Sequence, residues 1–293
     1  MSPPDLEQPA QITSPTNPRV KWLVSLRKRR TRDDEGVTLI EGYDELRLAL
    51  DAGVAVRALF YSPDHIGDRD KLPLVDEAAH GGAEVVSLGK AAFVKASYRD
   101  GPDGWLAVVA DPARRLSHLT LPEAPLVLVC EGVEKPGNLG AMLRTAEAAG
   151  VDAVIAASPV ADWSNPNVIR ASKGTVFAVP IASDTTAAVV AWLHERGLKI
   201  VVASPDADAL ITDIDLTGPT AVVVGAEHEG VSRSWLEAAD AVARLPMFGQ
   251  VNSLNVATSA AVTLYEAVRQ RSSPPHVGPS ADQPDEPPYA ERN

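Results

Sequence analysis

Three short stretches of the sequence carry polar groups at spacings that chemistry could use. The first runs Glu134-Lys135-Pro136-Gly137-Asn138-Leu139-Gly140 and leads into a helical pattern bearing Arg144. With Asn138 near the helix start, Arg144 sits about 9 Å further along the axis at ~1.5 Å per residue. A guanidinium there can reach back toward a site at the helix mouth. The competing account makes Asn138 an N-cap and Arg144 a surface side chain, and this stretch alone does not separate the two.

The second stretch is Gly225-Ala226-Glu227-His228-Glu229-Gly230. Two glycines bracket an acidic turn at a strand end, where glycine allows a ligand to approach the backbone closely. It is not a GxGxxG fingerprint and no Lys-Ser/Thr follows it, so nucleotide cradling of the usual kinds is disfavoured. His228 reads as a loop residue, because no partner spacing recommends it as a base. The third stretch, Leu245-Pro246-Met247 through Asn252-Ser253-Leu254-Asn255, precedes the last helix. Asn252, Ser253 and Asn255 crowd the region where a helix leaves its first backbone N–H groups unpaired. Capping explains one of the three.

The elements that must position these groups fall into two blocks. In residues 125–271, apolar runs at Leu126–Gly132, Ala153–Ala157, Val176–Ile181, Lys199–Ala203, Ala221–Gly225 and Ala241–Pro246 alternate with helical patterns at Gly140–Ala149, Thr185–Glu195 and Ser234–Ala239. A longer helix over about 254–270 closes the block. Near-continuous apolar strands joined by helices predict a largely parallel sheet covered on both faces, and such a sheet binds ligands outside the carboxyl ends of its strands. All three stretches follow a predicted strand. Residues 16–110 predict a small α/β unit, with strands at Val37–Ile40, Val54–Tyr61, Glu84–Leu88 and Trp105–Ala110 and helices at Tyr43–Ala52 and Leu72–His80. Residues 111–124 read as a linker. Residues 1–15 and 272–293, rich in Pro, Ser, Asp and Glu, read as flexible tails.

Composition bounds the function. The net charge of −12 argues against indiscriminate coating of nucleic acid. A local strip from Arg19 to Arg32 nevertheless holds Arg19, Lys21, Arg27, Lys28, Arg29, Arg30 and Arg32 with no acidic residue among them. It either holds a polyanion at one place or is a solvated helix face. The single cysteine, Cys130, excludes an intrachain disulfide and a cysteine-based zinc cluster, and reads as a buried thiol. No apolar run approaches the ~18 residues of a membrane span and the N-terminus lacks a signal-peptide core, so a soluble cytoplasmic protein without membrane contact is expected.

Together the three stretches resemble the SpoU/TrmH family of RNA 2′-O-ribose methyltransferases, in the SPOUT superfamily. Asn138-Leu139-Gly140…Arg144 is similar to the family's Asn-x-Gly and following arginine. Gly225-Ala226-Glu227-His228-Glu229-Gly230 is similar to its Gly-x-Glu-x-x-Gly. Leu245-Pro246-Met247…Ser253-Leu254-Asn255-Val256 is similar to its Pro-Met step and Ser-Leu-Asn-Val. The first block resembles the family's separate substrate-binding domain, with Asn17-Pro18-Arg19…Glu41-Gly42 similar to its opening.

The resemblance implies a parallel-sheet SPOUT domain with a deep trefoil knot, acting as a homodimer with S-adenosylmethionine as methyl donor and no metal. It implies donor binding at Gly225, Leu245 and Leu254. It makes Arg144 the catalytic arginine, with Asn138, Glu227, Ser253 and Asn255 beside it. Ribosomal RNA, 23S above all, is favoured over transfer RNA because of the separate N-terminal domain. Arg19, Lys21, Arg27, Arg29 and Arg30 are candidate RNA contacts. Arg170 is another, within Arg170-Ala171-Ser172-Lys173-Gly174, which also fits a helix end with a glycine cap. Rival readings are a non-catalytic RNA-binding assembly factor on the same fold, a base methyltransferase, and a nicotinamide-dependent dehydrogenase, the last disfavoured by the missing GxGxxG.

Overall fold

The computed structural model describes residues 11–158, 162–226 and 229–272. The first unit comprises α1 (Pro18–Ser25), α2 (Arg29–Glu35), β1 (Val37–Glu41), α3 (Tyr43–Asp51), β2 (Val56–Tyr61), α4 (Pro73–His80), β3 (Glu84–Ser87), α5 (Lys90–Ala96) and β4 (Trp105–Ala110). Its four strands lie in the order β1-β4-β2-β3, with β4 antiparallel to both neighbours and β2 parallel to β3. Ile12, in the stretch expected to be a tail, bridges Leu88 alongside this sheet, its N–H reaching the Ser87 carbonyl at 2.9 Å.

The second unit comprises β5 (Leu126–Glu131), α6 (Pro136–Ala148), β6 (Ala153–Ala157), α7 (Pro166–Ala171), β7 (Ile181–Asp184), α8 (Thr186–Glu195), β8 (Lys199–Ala203), β9 (Ala209–Leu210), β10 (Thr220–Val224), α9 (Arg233–Ala238), β11 (Ala241–Arg244) and α10 (Val256–Ser272). Seven strands form one sheet in the order β7-β6-β5-β10-β8-β11-β9, and every pairing is parallel. Alternate residues of β5 serve the two faces. Leu126, Leu128 and Cys130 join the core under α6, α7 and α10, while Val127 and Val129 join the one under α8 and α9. Two-faced burial is why these strands are continuously apolar in sequence. Among the described residues no helix is long and apolar enough to cross a membrane.

The two units share a core: Ile40, Leu46 and Trp105 of the first belong to the same buried cluster as Val168, Ile169 and Val176 of the second. Polar ties reinforce it. Arg32, 2% exposed, pairs with Asp162 and donates to the carbonyls of Leu26 at 2.8 Å and Arg27 at 3.1 Å. The Thr38 hydroxyl donates to the Ser164 carbonyl at 2.6 Å. The segment expected as a linker is itself packed, with Leu116 and Leu119 buried against the α8 face.

Three local expectations are corrected. Val176–Ile181 is not one strand: Thr175–Phe177 is a 3₁₀ turn and β7 begins at Ile181. Pro180, with no ladder N–H to give, stands between them. The short helix α5 is not foreshadowed in the sequence, and of α7 only its end at Arg170–Gly174 is. Asn138 is not an N-cap, because α6 starts at Pro136 behind Lys135, and proline suits a first helical position whose N–H has no partner anyway.

Candidate active site

A cleft of about 920 Å³ opens outside the carboxyl ends of β8, β10 and β11. Its walls come from the segments that follow those strands: Ser204–Ala207 after β8, Gly225, Ala226 and Glu229–Val231 after β10, and Leu245, Met247, Gly249 and Val251–Leu254 after β11. Three adjacent parallel strands thus deliver three loops to one place. Gly225, Leu245, Ser253 and Leu254, the donor-binding and catalytic candidates from two separate motifs, line the same cleft. Apolar Val224, Leu236, Met247 and Val256 accompany the polar Asn252, Ser253 and Ser259, the mixture expected of a site for an amphipathic small molecule.

The loop after β10 is pinched shut. Ala226 and Gly230 exchange backbone hydrogen bonds of 2.9 and 3.0 Å, and Gly230 turns with φ +68°. A Cβ at Gly225 would fall 2.1 Å from the Gly230 carbonyl carbon and oxygen and 2.4 Å from the Val231 nitrogen. Glycine is therefore required at 225 by the loop's own backbone, before any ligand enters. Glu227 and His228, at the tip of this motif, lie outside the described residues.

One residue that the sequence did not single out anchors the far end of this loop. Glu131 closes β5 and is buried. Its carboxylate accepts from the Ser232 N–H at 2.6 Å and hydroxyl at 2.8 Å, and from the Thr186 hydroxyl at 3.0 Å. Ser232 precedes α9, so Glu131 fixes where the loop ends. A carboxylate terminating an otherwise apolar strand was the available signal.

A hydrogen bond joins the first motif to the third: the Asn255 Nδ2 donates to the Asn138 Oδ1 at 3.3 Å. Asn255 also caps the last helix, its Oδ1 accepting from the Ala257 N–H at 3.0 Å. Capping thus occupies Asn255 and leaves Asn252 and Ser253 to the cleft. Arg144 does not line the cleft. Six residues beyond Asn138, at ~100° each, rotate its side chain well away from that of Asn138, onto the exposed face of α6 that Gly137 and Ala141 share. Its guanidinium forms no hydrogen bond or ion pair among the described residues.

α6 is held against the segment Arg170–Gly174. A Cβ at Gly140 would lie 2.4 Å from the Ala171 Cβ and 2.7 Å from the Ser172 nitrogen. The helix-end reading describes the geometry of that segment. The N–H groups of Lys173 and Gly174 close the end of α7 onto the carbonyls of Arg170 and Ile169, each at 3.0 Å, and the left-handed residue after the cap is Lys173 with φ +56°. Lys173 also pairs with buried Glu45 of the first unit at 3.7 Å. Arg170 donates to Asn167 at 3.2 Å.

The basic strip divides. Arg19 pairs with Glu84 and lies over the Phe60 ring at 5.6 Å. Arg27 donates to the Lys95 and Ser97 carbonyls and covers Tyr98 at 5.2 Å. These two, with Arg32, hold the first unit together. Lys21, Arg29 and Arg30 are exposed, with Asp33 and Asp34 one turn after the two arginines at 3.5 and 3.7 Å. The single thiol is buried beside Met142, and that burial pushes it up to about 12.

Comparison with known proteins decides the family. Residues 125–265 match the model of the SpoU rRNA Methylase family, and residues 17–107 match an MRM3-like substrate binding domain. A 23S rRNA (uridine(2479)-2′-O)-methyltransferase from Streptomyces viridochromogenes is 31% identical, over 90% of this chain and 93% of the relative. The chain belongs to the SpoU family of rRNA methylases. A 23S rRNA (guanosine(2553)-2′-O)-methyltransferase from Bacillus subtilis is also 31% identical, over 87% of this chain and 98% of the other. The crystal structure of an AdoMet-bound rRNA methyltransferase from Sinorhizobium meliloti superposes with a TM-score of 0.82 at 28% identity, covering 90% of this chain and 99% of that one.

Proposed function

We propose that this family member transfers a methyl group from S-adenosylmethionine to a ribose 2′-hydroxyl of 23S rRNA, in the cleft beyond β8, β10 and β11. The observation that carries the reading is the meeting of three sequence-distant motifs. Gly225, Leu245, Ser253 and Leu254 share one cleft, and the Asn255–Asn138 hydrogen bond ties its edge to α6. The cleft fits the methyl donor: backbone of the pinched Gly225 loop offers polar groups on one side, and Leu245 and Leu254 supply apolar walls for an adenine ring.

When bound, S-adenosylmethionine supplies a methyl group activated on a sulfonium. The protein's share is positioning and electrostatics. Gly225, Leu245 and Leu254 hold the donor; Asn138, Ser253 and Asn255, with Glu227, orient the ribose and the arginine. A guanidinium is a poor base, so Arg144 binds a neighbouring phosphate and stabilises the negative charge that develops on the 2′-oxygen as the hydroxyl proton passes to water. Residues 16–110 form the RNA-holding unit in this reading, with Lys21, Arg29, Arg30 and Arg170 as contacts.

The reading includes a homodimer in which Arg144 reaches the partner's cleft. Two features support it: Arg144 stands exposed outside its own cleft, and α10 carries exposed Val262 and Tyr265 beside exposed Leu254. The deep trefoil knot of the family and a cytoplasmic location belong to the same reading. Incubation of the protein with methyl-labelled donor and protein-free 23S rRNA, followed by digestion to nucleosides, tests it. Label in a 2′-O-methylnucleoside is expected. Label in a base, or none despite donor binding, overturns it.

A further inference from the structure

A second concavity, of about 560 Å³, lies at the β7 edge of the seven-stranded sheet. Arg114, Arg115, Asp184, Trp192, Glu195 and Arg196 are among its walls. The two neighbouring arginines come from the segment that joins the units, and backbone pairing fixes them there. The Arg114 N–H donates to the Ile181 carbonyl at 3.0 Å, and Arg114 bridges Ala182 as a short extension of the sheet.

The chemistry of the walls is that of an anion site. Arg114 and Arg115 are exposed, and neither guanidinium has a hydrogen-bond or ion-pair partner among the described residues. Arg196 is stacked over the Trp192 ring with its Cζ 4.2 Å from the centroid. Trp192 is itself buried, and its indole N–H has no acceptor. Two carboxylates share the walls, Glu195 at 4.0 Å from Arg196 and Asp184, which accepts from the Thr185 N–H at 2.8 Å, so three arginines outnumber them and Arg114 and Arg115 pair with neither. Elsewhere much of the positive charge of the N-terminal strip is spent on Glu84, Asp162 and backbone carbonyls.

We propose that this concavity grips the phosphodiester backbone of the RNA substrate, away from the nucleotide being methylated. The inference rests on the proposed function, which makes RNA the substrate. Planar guanidinium forks match phosphate oxygens two at a time. β7 is three strands from β10, about 14 Å at ~4.8 Å per strand, and Arg114 is anchored on its first residues, Ile181 and Ala182. The concavity therefore lies to the side of the cleft, where an RNA segment would have to round the sheet edge to touch both.

The test is fluorescence anisotropy of a labelled 23S rRNA transcript, titrated at several salt concentrations with the full chain and with the double variant Arg114→Glu/Arg115→Glu. Calorimetry with S-adenosylmethionine confirms that the variant's cleft is intact. Each phosphate contact contributes roughly 0.7 to 0.9 to the slope of log affinity against log salt. The double variant is expected to bind the transcript at least about tenfold more weakly near 0.1 M salt, with a slope shallower by about 1.5 and donor binding unchanged. Affinity and slope equal to those of the unaltered protein would overturn the site while leaving RNA as substrate. Failure of the unaltered protein to bind the transcript would instead overturn both.

Discussion

Replacing Gly225 by alanine is the sharpest perturbation of the cleft. The added Cβ would sit 2.1 Å from the Gly230 carbonyl, a distance that only backbone movement can relieve. The two hydrogen bonds of the Ala226–Gly230 pinch stand in the way of that movement. Losing them costs about 1 kcal/mol each, and overpacking adds about 1–3 kcal/mol. Because the strain sits in a surface loop at the end of β10, it is expected to open the loop rather than unfold the sheet. If about 3 kcal/mol of it must be recovered whenever the donor binds, affinity falls by about two powers of ten. Isothermal titration calorimetry with S-adenosylmethionine measures this directly. Gly218→Ala, at the opposite end of the same strand, is the control, since a Cβ there meets nothing within 4 Å. A Gly225→Ala protein that binds the donor within threefold of the unaltered one would refute the reasoning.

Arg144→Ala should retain its stability within about 0.5 kcal/mol, as an exposed, unpartnered side chain allows, and should bind donor normally while methyl transfer falls by about 10²–10³; single-turnover kinetics beside a thermal melt reads both. Arg32→Ala leaves Asp162 without its buried partner, and denaturant unfolding is expected to show a loss of about 3–5 kcal/mol. Cys130 should resist alkylation near pH 8.5 until the protein unfolds, since the thiolate is the reactive form. Its folded value of about 12 stands above the ordinary 9.0, so the unfolded chain releases the proton first and stability should decline as pH rises past about 9. Tyr265→Asp on the exposed face of α10 is expected to convert the proposed dimer to monomers in sedimentation velocity; an unchanged sedimentation coefficient would remove that face from the proposed interface.

Much of this architecture was legible because burial writes itself into sequence. β5, β6, β8 and β10 are covered on both faces, so each is an uninterrupted apolar run, and the strands were placed within a residue or two. α5 and α7, at seven and six residues, are too short to show a helical period. The 3₁₀ turn at Thr175–Phe177 was mistaken for strand because its apolar residues are buried as a strand's would be. Glycine spacing and polar crowding before the last helix, both local signals, point to loops that the structure gathers around one cleft. What could not be read were contacts between distant residues: Arg19 with Glu84, Arg32 with Asp162, and Glu131 with Ser232. These turn apparent surface charge into internal structure. The reason for glycine at 225 also differs: the sequence suggests the close approach of a ligand, and the structure shows the close approach of Gly230.

The central claim is most directly tested by a crystal structure of the protein with S-adenosylmethionine bound. The donor is expected between the Gly225 loop, Leu245 and Leu254, with the partner's Arg144 guanidinium facing the space beside the methyl group that the 2′-oxygen must enter. A donor bound elsewhere, or every Arg144 turned away from it, would contradict the account.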